Sequence, residues 1–263
     1  SSIDKKAHAM KEPSRVLTNG LLSALAAVAV AWPLASHAQG GDVDPDALAL
    51  LRKSTEYLAA NKQFSLVTDT TIEAVLPDGQ KLQFGHRVAI TVQRPNKMRA
   101  QRVGDLIAQT FYYDGQTLSV LVPRQNYYAQ APVPPTLEGM LDTARDQLHV
   151  IAPGADFVYS NAYERLSDGL TSAFVVGKAV VDGVRCDQIA FRNAEVDWQV
   201  WIEEGAKPVP RKFIVTSKKM PQSPQFTSVM SNWQTAPKIS ASTFSFVPPK
   251  NAQKIEFRTA AQK

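Results

Sequence analysis

From Phe64 onward, apolar and polar positions alternate with a period of two, the spacing of a half-buried strand. Gln63–Val75 predicts a first strand and Pro77-Asp78-Gly79-Gln80 a turn. Lys81–Gln93 is the clearest case. Leu82, Phe84, His86, Val88, Ile90 and Val92 share one face, and Gln83, Arg87, Thr91 and Gln93 share the other. Pro95-Asn96 turns the chain into Lys97–Val103, and Leu106–Tyr113 follows. Asp114-Gly115 is a hairpin dipeptide, because both residues tolerate the positive φ of a tight loop. Thr117–Val122 and Tyr127–Gln130 complete a meander whose short connections make neighbours antiparallel.

Helical spacing replaces alternation in three places. Asp44-Pro45 opens a helix, with Asp44 as N-cap and Pro45 at the first position. Leu48, Leu51, Thr55 and Leu58 form its apolar stripe, and Asn61 stops it. Asp42, Asp44 and Asp46 look faintly like a calcium loop, but the required Gly and closing Glu are missing, so capping is the better account. After a Pro-rich joint, Ala131–Pro135, Thr136 caps a helix with Leu137, Met140, Leu141, Ala144 and Leu148 on one side, ending near Pro153. Asp156–Leu166 reads as a further short helix. Strands resume with Leu170–Val180, an Asp182-Gly183 turn, Val184–Arg192, Val196–Glu203, Pro208–Lys218 and Gln225–Gln234, and a short Thr243–Val247 closes at Pro248-Pro249. Sheet, helices, sheet, without regular strand–helix alternation, argues against a doubly wound fold and predicts a mainly β (α+β) protein of about eleven antiparallel strands and three helices.

The first 38 residues obey different rules. Lys11 and Arg15 supply a positive start, and Gly20–Trp32 is an uncharged, largely apolar stretch too short to span a bilayer core of roughly 30 Å as a helix. Pro33 breaks it, and Ala35-Ser36-His37-Ala38 places small residues where a signal peptidase reads. Met10–Ala38 therefore reads as a secretory signal cleaved after Ala38. Residues 1–38 are an extension plus signal, and 39–263 a single exported domain with no membrane-spanning helix. Gln39 follows the cut where a lipoprotein needs Cys, so no lipid anchor is expected.

Composition narrows the function. Hydrophobic content is 44% and charged content 20%, ordinary for a folded protein. The net charge is +5, and +3 without residues 1–38, with no basic run to argue for nucleic acid. A single cysteine, Cys186, closes no internal disulfide, so the fold rests on its core. Cys186 lies mid-strand and reads as a buried structural thiol. His86 and His149 have no metal-type spacing, and His86 suits a core or cavity-lining position. No Gly-x-Ser-x-Gly elbow, His-Glu-x-x-His pair or phosphate-cradling Gly loop is present, which lowers the enzyme reading without removing it. No cofactor is expected.

The order of weak motifs carries a resemblance. Arg94-Pro95-Asn96-Lys97-Met98-Arg99, Tyr113-Asp114-Gly115-Gln116, Trp198–Ile202, Pro208-Val209-Pro210-Arg211-Lys212, Asn232-Trp233 and Phe244-Ser245-Phe246-Val247-Pro248-Pro249 are similar to segments of the periplasmic lipoprotein-carrier superfamily of LolA, LolB and RseB. Val181-Asp182-Gly183-Val184-Arg185-Cys186-Asp187-Gln188, with Ala155–Tyr159 and Asp197–Ile202, most resembles a family of predicted periplasmic proteins of unknown function within it. The resemblance implies an unclosed β-barrel: a strongly curved antiparallel sheet whose concave side is covered by helices over an apolar cavity. In LolA and LolB that cavity takes lipoprotein acyl chains, and in RseB the architecture serves regulation, so fold alone does not decide function.

Apolar strand faces and helix stripes supply the candidate lining: Phe84, Val88, Ile90, Val92, Met98, Leu118, Val120, Leu137, Met140, Leu141, Trp198, Val200, Ile202 and Phe213. Periodicity gives each face but not which face is concave. The first expectation is a soluble periplasmic carrier or chaperone for a lipid or lipoprotein acyl chain. The second is a regulatory or scaffolding protein binding an envelope protein partner, and the third an enzyme acting on envelope lipid or glycan.

Overall fold

The structure, a computed structural model, describes residues 42–257 apart from Ile151 and Pro153. The expected export signal lies outside the described residues.

The chain opens with α1 (Pro45–Ala60). The Asp44 carboxylate accepts from the Asp46 N–H at 2.9 Å, and Asn61 leaves the helix in an extended conformation. The buried stripe is Ala47, Leu51, Ser54, Thr55 and Leu58, and the Thr55 hydroxyl donates back to the Leu51 carbonyl at 3.0 Å. The meander follows as β1 (Gln63–Val75), β2 (Lys81–Gln93), β3 (Lys97–Gly104), β4 (Ala108–Tyr113), β5 (Thr117–Val122) and β6 (Tyr127–Pro132). After α2 (Leu137–Asp146), a 3₁₀ turn (Ala155–Val158) and α3 (Ala162–Ser167) come β7 (Ser172–Val181), β8 (Val184–Arg192), β9 (Val196–Glu203), β10 (Pro210–Ser217) and β11 (Gln225–Gln234). A two-residue β12 (Gln253–Lys254) ends the sheet.

All twelve strands form one sheet, ordered β12-β6-β5-β4-β3-β2-β1-β11-β10-β9-β8-β7. β1 joins its two halves. It pairs with β2 along its whole length, Gln63 opposite Gln93 to Val75 opposite Lys81, and with β11 on its other edge. The end strands β12 and β7 do not pair with each other, so the barrel stays unclosed. Asp42–Asp44 covers the start of the β7 edge, with the Asp44 N–H bonded to the Ala173 carbonyl at 2.9 Å. The β7–β8 hairpin turns on Asp182 and Gly183, both at positive φ (47° and 79°), the backbone that Asp-Gly supplies most readily.

Three expected elements differ. The 136-capped helix ends at Asp146, before Pro153, because His149 takes a left-handed conformation (φ 53°) and the Val150 N–H returns to the Ala144 carbonyl at 2.8 Å. Asp156–Leu166 is two pieces. Tyr159 is extended between them, its hydroxyl bonded to Asp142 at 2.9 Å, and the Ser160 N–H donates to Glu138 at 3.0 Å. Those bonds to α2 replace a continuous helix. Thr243–Val247 is no strand either: Ala241–Phe244 is a 3₁₀ turn capped by Ser240. Phe244 is buried, and Phe246 lies between Tyr112 and Tyr128 (5.5 and 5.4 Å), so side-chain anchors hold this segment where Pro248-Pro249 offers no N–H to a sheet.

The sheet from β7 to β10 is densely packed. α1 lies against β7, β8 and β9. Phe191 stacks on Trp198 at 4.0 Å, Trp198 meets Phe213 at 5.8 Å, and Phe213 meets Phe157 edge-on at 5.3 Å. Trp198→Ala is expected to lower the unfolding free energy by about 3–5 kcal/mol, measured by urea denaturation. A loss under about 1 kcal/mol would contradict this packing.

Candidate functional site: a half-filled concave face

Residues paired across a sheet point to the same side, so the register sorts the wall into rows. Phe64, Val92, Met98, Tyr113 and Leu118 form the first row, and Leu66, Ile90, Ala100, Phe111 and Val120 the second. The third row is Met230, Thr68, Val88 and Arg102, and the fourth is Ser228, Thr70 and His86. The wall thus begins apolar and passes into a polar band, beyond which Phe226, Ile72 and Phe84 form a further apolar row.

Between this wall and α2 lies a cavity of about 480 Å³. α2 presents Met140, Leu141 and Ala144 to it, and Phe157, Val158 and Tyr159 close a further side. Val88, Ile90, Met98, Ala100 and Phe111 are only partly buried although they face the helices, because the space above them is open. A volume of this size is typical of small-molecule sites.

The candidates separate cleanly by position. Val88, Ile90, Met98, Leu118, Met140 and Leu141 line the cavity. Val92, Val120 and Leu137 are buried beside it, and Phe84 lies beyond the polar band, opposite Ile72. Trp198, Val200, Ile202 and Phe213 belong to the packed half. Sequence reasoning missed Phe64, Leu66, Phe111 and Trp233, together with the lining Thr68, Thr70, Arg102 and Ser228. The signal was available in part: the β1–β2 turn at Asp78-Gly79 sets Leu66 opposite Ile90 and Thr70 opposite His86.

Polar contacts hold α2 above the sheet. The buried Tyr113 hydroxyl donates to the Pro134 carbonyl at 2.7 Å and lies 3.2 Å from that of Thr136. The Thr136 hydroxyl caps α2 by accepting from the Gly139 N–H at 3.1 Å, and the Leu137 N–H reaches the Pro95 carbonyl at 3.0 Å. A Cβ on Gly139 would sit 2.6 Å from Pro134, so the joint and helix meet closely here. Further along α2, Asp142 accepts from Tyr159 (2.9 Å), Arg145 (3.0 Å) and Arg165 (3.2 Å), and Arg165 lies over the Tyr159 ring. Burial, and then Asp142, pushes the Tyr159 phenol up. Burial, and then Asp114, pushes Tyr113 up to about 12.

In the polar band, burial and then the charge of Arg102 lower the His86 imidazole below its usual range, and burial lowers Arg102. His149 also lines the cavity. Among the described residues no group of three or more His, Cys, Asp or Glu side chains is placed to hold a metal. Cys186 is buried on β8, and burial raises its thiol to about 11, so it is protonated at neutral pH. No helix among the described residues is long and apolar enough to cross a membrane.

The family model described as "Predicted periplasmic protein (DUF2092)" matches residues 47–258. No curated protein matches the sequence. Among solved structures, the chain is similar to an uncharacterized conserved protein from Thermus thermophilus, at 10% identity and a TM-score of 0.48, covering 80% of this chain and 99% of that one. It is similar to LprF from Mycobacterium bovis at 13% identity and a TM-score of 0.46, covering 81% and 100%. It is similar to a LolA superfamily protein from Nitrosomonas europaea at 10% identity and a TM-score of 0.39, covering 76% and 97%.

The Tyr113 anchor has a pH signature. A phenol whose folded pKa is raised stabilises the protein fully below the free tyrosine value of about 10, and that contribution is lost as pH rises towards about 12. Thermal melts between pH 9 and 12 should therefore fall more steeply for the wild type than for Tyr113→Phe. At pH 8 the substitution should cost about 1 kcal/mol. Parallel pH curves would contradict the anchor.

Proposed function

The chain belongs to DUF2092, a family of predicted periplasmic proteins, and on that premise we propose that it is a periplasmic binding protein, a carrier or chaperone that holds a lipid or lipoprotein acyl chain between the sheet and α2. The supporting observation is the half-covered wall. Apolar side chains of β2, β3 and β4 face inward, yet neither helix nor sheet fills the space above them.

The energetics fit this occupant. Each buried methylene contributes ~0.8 kcal/mol, so a chain of ~16 carbons gains on the order of 10 kcal/mol gross before ordering costs. A methylene takes up about the ~30 Å³ of a liquid water, so about 480 Å³ suits one such chain. Affinity of this kind needs no sharp motif, in keeping with a sequence that has none. The regulatory reading, in which the same fold binds an envelope protein, and the enzymatic one have no comparable feature in their favour.

The test is native mass spectrometry of protein purified from periplasm, for the wild type and Ile90→Arg. Ile90 sits in the middle of the cavity wall, partly exposed, so an arginine there intrudes on the hollow more than on the packed half. The wild type should carry a co-purified lipid and the folded variant none. Wild-type protein without lipid but with a crosslinked protein partner would replace this reading with the regulatory one.

A further inference from the structure

We propose that the hollow selects a chain carrying a neutral oxygen function part-way along its length, a hydroxyl or an ester, with hydrocarbon on both sides of it. The recognising group is a belt across the wall: His86 on β2, Thr68 and Thr70 on β1, and Ser228 on β11. This rests on the acyl-chain reading above and narrows the ligand class.

The belt interrupts the wall rather than ending it. Along β11 the inward positions run Phe226, Ser228, Met230, and along β2 they run Phe84, His86, Val88. On β1, between them, Thr68 and Thr70 are flanked by Leu66 and Ile72. All three strands pass from apolar to polar and back at one level, because the register sets Ser228, Thr70 and His86 opposite one another and Phe226, Ile72 and Phe84 in the next row. Inward residues recur every ~7 Å along a strand, so the belt is one to two rows deep within a longer apolar wall. A head group needs polar lining at an end. A polar group inside a chain needs it where hydrocarbon contacts continue on either side.

The belt has unspent hydrogen-bonding capacity. Thr68, Thr70 and Ser228 are 7%, 5% and 2% exposed, and all three line the cavity. Thr70 Oγ1 lies 3.2 Å from Ser228 Oγ and 3.4 Å from Thr68 Oγ1. Those two contacts use two of the three hydroxyl protons and leave one proton and several lone pairs. His86 sits directly opposite Thr70 and also lines the cavity, and among the described residues its imidazole has no hydrogen-bond partner. Burial and the charge of Arg102 hold it neutral at pH 8, so one ring nitrogen donates and the other accepts. Plain methylenes laid across the belt leave these groups unpaired, which costs free energy. An ester carbonyl accepts from them, and a hydroxyl both donates and accepts. Nothing in the belt calls for a charge: its members are neutral, and Arg102, on β3 in the row of Thr68, has a partner of its own.

Displacement of the neutral dye N-phenyl-1-naphthylamine, at pH 8 and below micelle concentrations, tests this. The competitors are stearate, 12-hydroxystearate, 2-hydroxystearate and mono-octyl sebacate, an acid of similar length with an ester in mid-chain. Transfer out of water alone ranks 12-hydroxystearate below stearate, because the added hydroxyl is solvated. The belt reverses that order: 12-hydroxystearate or the sebacate ester should compete at least about threefold better than stearate, the ratio of one net hydrogen bond, and the one that does so names the oxygen function. 2-Hydroxystearate, whose hydroxyl adjoins the carboxylate, should gain nothing. Thr70→Val removes the hydroxyl that both contacts share and should restore the order set by transfer, with a cooperative thermal melt showing that the variant is folded. Ser228→Ala makes the same test if Thr70→Val does not fold. A smaller gain by both mid-chain compounds, an equal gain by 2-hydroxystearate, or an order unchanged in the folded variant overturns the role of the belt and leaves chain binding intact. If no competitor displaces the dye and no lipid co-purifies, the acyl-chain reading falls as well.

Discussion

A curved sheet of twelve strands has more inward-facing apolar surface than its helices cover, and that mismatch governs the rest of the structure. At ~1.5 Å per residue, α1 is about 24 Å long and α2 about 15 Å. The longer helix serves β7, β8 and β9, where aromatic side chains complete the packing. The shorter one is left with the wall of β1 to β5. Stability therefore concentrates in one half of the sheet and vacancy in the other. β1, hydrogen-bonded to both β2 and β11, ties the two together.

What keeps the vacancy open is the manner in which α2 is attached. A helix held only by apolar contacts would settle onto the sheet until its side chains interlocked. α2 is instead pinned at defined points: the Tyr113 hydroxyl on the joint before it, the Leu137 N–H on the turn after β2, and Asp142 on Tyr159 and Arg165. Hydrogen bonds are short and directional, so they set a height that hydrocarbon packing alone would not. The same attachment explains why the chain between α2 and α3 breaks into short pieces, each tied back to α2.

Much of this was legible in the sequence. Period-two alternation in Lys81–Gln93 locates β2 and its inward face, and Asp44 and Thr136 mark the starts of α1 and α2 by cap chemistry. The eleven long strands can be read because turn dipeptides such as Asp182-Gly183 punctuate them. The misses share a cause. Asp156–Leu166, the end of α2 and Thr243–Val247 are governed by contacts distant in sequence, such as Tyr159 with Asp142 or Phe246 with Tyr112, which local periodicity does not carry. The candidate lining divided for the same reason. Ile90 and Val200 have the same alternating pattern, and only the placement of α1 and α2 decides that one faces space and the other a packed core. The polar band escaped notice because Thr68, Thr70 and Ser228 look like ordinary strand residues until the register sets them side by side.

The central claim is that space persists between the β1–β5 wall and α2 and that hydrocarbon occupies it. Crystallographic electron density of the protein isolated from its own periplasm addresses this directly. Continuous elongated density running from Leu118 and Met140 towards Thr70 and Arg102 is the expected result. A map in which α2 has settled onto Ile90 and Phe111, with side chains meeting and no volume between them, would contradict it.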